Sequence, residues 1–225
     1  MIRTVEEDSA AIINSKFEQA KTAQKVWAEV PLTDRIACIS RFSDLLAENS
    51  ERLSADLTSE VGKPLDQSAG EINGARGRIQ FFLDNSEKYL AEEWMTLEGG
   101  TKEKIAYEPL GVIANISAWN YPFLVGTNVF IPALIGGNTV LYKPSEFSTI
   151  TGLNISELMW EAGVPKDVFQ IVLGGKEAGQ ALLELPLDGY FFTGSYATGK
   201  YIAEAVAGKL VPTGFELGGK DPMYI

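Results

Sequence analysis

Residues 111–143, "GVIANISAWNYPFLVGTNVFIPALIGGNTVLYK", decide the fold. A short apolar run ends at Ile116, a longer one runs from Pro122 to Ile135, and after Gly136-Gly137 comes a second short run to Tyr142. The short runs read as buried strands, and Pro122 suits the first turn of a helix, where its missing N–H costs nothing. The unit is strand–helix–strand, and strands this apolar throughout belong to a parallel sheet buried on both faces.

Downstream the alternation continues. A helix is predicted over about 149–161, then a strand in "VFQIVL" (168–173), a helix over 177–185, a strand in "GYFFT" (189–193), a helix over 197–207, and a last strand in "VPTGFEL" (211–217). Strands interleaved with helices give an α/β fold with helices on both faces of the sheet.

Upstream the chain reads as helical. Ile13, Phe17, Ala20 and Trp27 share one face of a first helix that Pro31 ends. A second helix runs over 34–48, with Thr33 as its N-cap and Ile36, Ile39, Phe42 and Leu46 in its stripe. A third covers 51–61, stopped by Gly62 and Pro64, and a fourth runs from 67 to about 90. These helices are expected to cover the sheet rather than form a domain of their own. Within 92–108, two runs flank Gly99-Gly100 and read as a β-hairpin. A lone hairpin is marginal in water, so it is either an arm that pairs with another subunit or a solvated surface ribbon.

Composition narrows the function. Lys+Arg is 19 against Asp+Glu 30, a net charge of -11, which repels phosphate backbones and argues against nucleic acid as a partner. With no histidine and one cysteine, the chain lacks the usual zinc or iron ligands and cannot form an intrachain disulfide. That cysteine usage fits a reducing, cytoplasmic setting. Cys38 sits beside Ile39 with no nearby cationic cluster, so it is expected to be a packed, inert thiol. The acidic start is unlike a signal peptide, and no apolar run is long enough for a membrane span.

Function in a parallel sheet gathers where strands end. After the first strand, Asn120 either caps the next helix or donates its amide to a developing oxyanion. After the second, Lys143 and Glu146 either reach a ribose or form a surface ion pair; a glutamate there repels a 2′-phosphate and favours NAD over NADP. After the third, the glycines of "IVLGGKEAG" fit neither the G-x-G-x-x-G fingerprint nor a P-loop. After the fourth, Gly194 turns the chain and Ser195 caps a helix whose free N–H groups suit a pyrophosphate, or which is simply a well-capped helix with no ligand. In the fifth, Gly218 and Gly219 allow close backbone approach, and Glu216 is either a general base, as an apolar setting would favour, or a glutamate in a turn.

Together "NISAWNYPF", "GNTVLYKPSE", "FFTGS" and "FELGGKDP" resemble the aldehyde dehydrogenase superfamily, specifically its non-acylating members, over essentially the whole chain. The resemblance implies a Rossmann-like sheet that binds NAD(P) without the usual glycine fingerprint. It implies Asn120 as an oxyanion donor and Glu216 as a general base. It implies a cofactor site made by Ile116, Ser117, Ala118, Trp119, Lys143, Ser145, Glu146, Gly175, Gly179, Phe192, Thr193, Gly194, Ser195, Thr198, Leu217 and Gly218, with NAD as the cofactor and no metal. The hairpin looks like the family's oligomerisation arm, and homo-oligomers follow from it. Ala118 stands where many members have proline.

The family's nucleophilic cysteine lies beyond the "ELGGK" glutamate in a separate catalytic domain. The resemblance therefore implies a dinucleotide-binding domain at 1–219, the start of a catalytic domain at 220–225, and no turnover by this chain alone. The parent reaction would oxidise a small-molecule aldehyde to a carboxylic acid. A non-catalytic NAD-binding or assembly module, and half of a split enzyme, stand as alternatives. A CoA-acylating relative is disfavoured by Glu216.

Overall fold

The computed structural model describes residues 4–96, 98–220 and 222–224. Four helices come first: α1 (Ala10–Glu29), α2 (Leu32–Glu48), α3 (Ser50–Val61) and α4 (Leu65–Tyr89). An antiparallel hairpin, β1 (Glu93–Thr96) and β2 (Lys102–Ile105), follows. Then strands and helices alternate as β3 (Val112–Ile116), α5 (Pro122–Ile135), β4 (Thr139–Lys143), α6 (Thr149–Glu161), β5 (Phe169–Ile171), α7 (Lys176–Glu184), β6 (Gly189–Gly194), α8 (Tyr196–Val206) and β7 (Thr213–Leu217).

β3 to β7 form one parallel sheet in the order β5-β4-β3-β6-β7. The chain winds outward from β3 to β5, then returns to lay β6 against the other side of β3. Ligands in open α/β sheets bind outside the carboxyl ends of the strands at such a reversal.

Side chains alternate between the faces, as the strand period of two requires. Ile113, Val140 and Tyr142 join a core with Phe42, Leu53, Ile72, Phe130, Ile155 and Phe169. Val112, Ala114 and Leu141 join the opposite core with Ile13, Phe17, Leu182 and Ile202. Phe130 centres an aromatic cluster, edge-on to Phe42, Tyr142 and Phe169 at 6.4, 5.5 and 5.2 Å. The front helices thus cover the sheet: α2, α3 and α4 on one face, α1 on the other.

Charged side chains from those helices close helix ends. Arg35 on α2 is buried, donating to the carbonyls of Ile135, Trp27, Ala28 and Val30, the carboxyl ends of α5 and α1. Glu60 on α3 accepts from the N–H groups of Ile150 (2.5 Å) and Thr151 (2.7 Å) at the start of α6. Cations at carboxyl ends and anions at amino ends match the helix dipole.

Several sequence expectations need correction. Thr33 does not cap α2. The first turn closes on Pro31, whose carbonyl accepts from Asp34 and Arg35, while the Thr33 hydroxyl turns to Asp34. α4 likewise starts earlier, after Pro64. β5 is shorter than "VFQIVL", because Leu173 leaves the sheet to exchange hydrogen bonds with Asp8. Cys38 packs against the core as expected, though half-buried. The hairpin is present, with every position of both strands exposed. Met1 to Arg3, Leu97 of the hairpin loop, and Asp221 and Ile225 of the predicted catalytic-domain start lie outside the described residues.

Candidate functional site

The carboxyl edge of the sheet opens into a cleft of about 1740 Å³. The expected site residues line it: Ile116 to Asn120, Lys143, Ser145, Glu146, Gly175, Gly179, Phe192 to Ser195, Thr198, Glu216, Leu217 and Gly218, whereas Gly219 does not. Its volume exceeds the ~300–1,000 Å³ typical of pockets for small ligands.

At the exit of β3, Ser117 is buried and its hydroxyl has no partner. Asn120 is exposed. Its Oδ1 accepts from the Tyr121 N–H at 3.1 Å, which leaves Nδ2 free to donate. Asn120 is not the cap of α5. The Phe123 and Leu124 N–H groups bond instead to Glu71 Oε1, at 2.8 and 3.4 Å, from α4. Glu71 is buried and paired with Lys63, which also donates to the Asn120 carbonyl at 2.6 Å. Burial pushes the Glu71 carboxyl up from its ordinary value, against the pull of Lys63 and the two amides.

At the exit of β4, Lys143 is buried, and the ion pair with Glu146 is present with only its acidic partner at the surface. Its Nζ donates to the Pro144 carbonyl at 3.2 Å and lies 4.0 Å from the exposed carboxylate of Glu146. Burial lowers the lysine's pKa, while Glu146 and Glu7 oppose the shift. Ser145 Oγ accepts from Phe147 N–H and fixes the turn that carries Glu146. Trp119 meets Phe147 edge-on at 6.4 Å, closing one end of the cleft between the two exits.

At the exit of β6, Ser195 Oγ accepts from Thr198 N–H at 3.2 Å, the predicted cap of α8. A helix start leaves its first-turn amides without intrahelical partners, and Ala197 and Thr198 of the first turn of α8 line the cleft. At Gly175 a side-chain carbon would meet nothing within 4 Å, so the start of α7 is also uncrowded. Glu216 lies on the edge strand β7, aligned with Thr193. It is exposed, so the apolar setting expected for it is not formed: β7 is the last strand of the sheet.

Sequence reasoning missed the wall that α4 supplies, Arg78, Phe81 and Phe82, which faces Val125, Asn128 and Val129 of α5. It also missed Lys63 and Glu71. The Gly-Lys-Pro breaker at 62–64 was the available signal, a lysine fixed between two helix stops. Cys38 is outside the cleft lining, and burial, then Asp34, push its thiol up. Among the described residues there is no group of His, Cys, Asp and Glu that could hold a metal, and no helix long and apolar enough to cross a membrane.

A smaller cavity of about 530 Å³ lies beside Glu6, Glu7, Glu60 and Glu146. Its acidic rim opposes a phosphate, whereas the start of α8 favours one.

A model of the aldehyde dehydrogenase family matches residues 1–225. The chain is 35% identical to betaine aldehyde dehydrogenase of Agrobacterium fabrum across its whole length, covering 46% of that protein. Betaine aldehyde dehydrogenase of Staphylococcus aureus in complex with NAD+ superposes with a TM-score of 0.94 at 30% identity, over 99% of this chain and 46% of that one. NADP-dependent glyceraldehyde-3-phosphate dehydrogenase of Bacillus halodurans, complexed with NADP, superposes with a TM-score of 0.91 at 33% identity, over 97% and 47%. The chain spans about half the length of the curated relatives it matches.

Proposed function

The chain belongs to the aldehyde dehydrogenase family, and on that premise we propose that it is the NAD-binding portion of an enzyme that oxidises an aldehyde to a carboxylic acid. One observation carries this reading: a single cleft at the reversal of the sheet collects the site residues expected from the four motifs. The residues fit a dinucleotide. The open amides at the start of α8 suit a pyrophosphate, the unpartnered Ser117 hydroxyl gives a buried polar contact, and Lys143 with Glu146 suits ribose hydroxyls. The exposed Glu146 carboxylate would repel a 2′-phosphate, which favours NAD over NADP.

NAD supplies a hydride acceptor. The chain's own part is to hold Asn120 Nδ2 as a donor for negative charge developing on the aldehyde oxygen, and Glu216 as a base. The nucleophile is a cysteine outside these 225 residues. Cys38 lies away from the cleft, and burial pushes its thiol up from the ordinary value, which argues against it as the nucleophile. Residues 1–219 form the cofactor domain and 220–225 begin the catalytic one. The exposed hairpin, with Trp94, Met95 and Ile105 on it, serves as an arm for homo-oligomers. A reducing, cytoplasmic setting belongs to the same reading.

The test is NADH formation at 340 nm. The chain alone should give none with any aldehyde. Joined to the remaining portion of the Agrobacterium relative, it should turn over betaine aldehyde, and Glu216→Gln should slow that strongly while NAD binding survives. Steady turnover by the chain alone that persists in Cys38→Ala would overturn the reading.

A further inference from the structure

We propose that Lys63 and Glu71 form a latch that positions Asn120, a role that rests on reading Asn120 as the oxyanion donor. The segment 118–121 leaves β3 and enters α5 with little support of its own. The only side-chain hydrogen bond within it joins Asn120 Oδ1 to the next N–H, and Tyr121 offers α5 no side-chain cap.

Support comes from the other side of the cleft. Lys63 stands between Gly62, at φ 73°, and Pro64, so its backbone is held by two helix stops. Its ammonium makes three contacts. It bonds to Glu71 Oε2, donates to the Asn120 carbonyl at 2.6 Å, and lies 3.7 Å from the centroid of the Tyr121 ring. Glu71 uses its other oxygen on the Phe123 and Leu124 N–H groups. The side chains are 10% and 0% exposed, so water competes little for these bonds.

The two residues thus fix both ends of one short turn. Lys63 holds the carbonyl before it, and Glu71 holds the amides after it. The Asn120 side chain branches from the residue whose carbonyl Lys63 holds, and it lines the cleft, so a shift of that anchored peptide moves it. An oxyanion donor acts only if it stands where charge will develop, and small displacements are costly. Neither Lys63 nor Glu71 lines the cleft, so both are positioning residues.

The test is NMR of the ¹⁵N-labelled 225-residue chain, reading the Asn120 carboxamide signals and amide hydrogen exchange. Lys63→Met should move the Asn120 signals and speed exchange at Phe123 and Leu124 by about tenfold or more, while the amides of Ile131, Ala133 and Leu134 stay within about twofold. Lys63→Arg should restore most of both effects, which a loss of general packing would not allow. Glu71→Gln keeps the volume and one acceptor oxygen, and gives the same reading of Asn120 if Lys63→Met does not fold. Unmoved Asn120 signals in Lys63→Met, or in Glu71→Gln where Lys63→Met does not fold, would overturn the latch. The oxyanion reading fails separately: if Asn120→Ala leaves turnover of the joined protein intact while Lys63→Met still displaces Asn120, the latch stands and its catalytic purpose falls.

Discussion

The two flanks of the sheet are built differently. β3, β4 and β5 are buried at every position, sandwiched between the front helices on one face and α1 and α7 on the other. β7 is exposed or half-buried along its whole length and has a free edge. The covered flank carries the charged helix caps Arg35, Glu60 and Glu71, whereas the open flank carries Glu216. Parallel sheets occur almost only with both faces covered, and β7 is the strand at which that cover runs out. In this molecule stability and proposed chemistry are separated: the covered flank holds the cleft's walls, and the open flank presents the base.

The separation can be broken most forcefully in the core. Phe130→Ala should cost about 3–5 kcal/mol in urea unfolding, because the aromatic cluster collapses poorly around the hole. Glu216→Gln should change stability by no more than ~0.5 kcal/mol, as an exposed substitution does. A large effect at Glu216 would mean that β7 is supported in a way its exposure denies.

Glu60→Ala should cost roughly 1–2 kcal/mol, a strong cap lost from a partly buried helix start, read as a lower urea midpoint with unchanged slope. Equal stability would show that α6 needs no help from α3.

A finer test uses pH. Burial raises the Glu71 pKa in the folded chain, so the folded state holds this proton more firmly than the unfolded one. Its contribution is greatest below about pH 4.3, the ordinary glutamate value, and declines as pH rises through the raised pKa. Glu71→Gln should flatten that decline, seen as the difference between the two pH–stability curves. A difference that grows with pH in the opposite sense would show that Lys63 and the amides outweigh burial.

The smallest effect concerns the cofactor. Glu146→Ser should narrow the preference for NAD over NADP by up to about fivefold, since an exposed charge contributes only ~0.2–1 kcal/mol. NADP preferred by the unsubstituted chain in calorimetry would remove Glu146 from the ribose.

Much of this was legible in the sequence, for reasons that differ by residue. Buried parallel strands leave unbroken apolar runs, so β3 and β4 announced themselves. Pro122 and Ser195 act through local backbone chemistry, and both stand where the sequence put them, at the starts of α5 and α8. Most residues of the cleft were found because they stand at or just past the carboxyl end of a strand, and the register of the sheet then brings the strand ends together. What was hidden is tertiary. Glu71 caps a helix 52 positions away, and no local pattern distinguishes it from a surface glutamate of an amphipathic helix. Thr33 was misread because proline closed the turn first. The exposure of Glu216 depends on what lies beyond β7, which its neighbours in sequence do not encode.

The most direct test of the central claim, that the reversal between β3 and β6 holds a dinucleotide, is a titration of the ¹⁵N-labelled chain with NAD followed by NMR. The account predicts saturable shifts confined to Ser117–Asn120, Lys143–Glu146 and Gly194–Thr198, with the acidic cavity at Glu7, Glu60 and Thr149 silent. Saturable shifts centred on that cavity, or none at the start of α8, would contradict it.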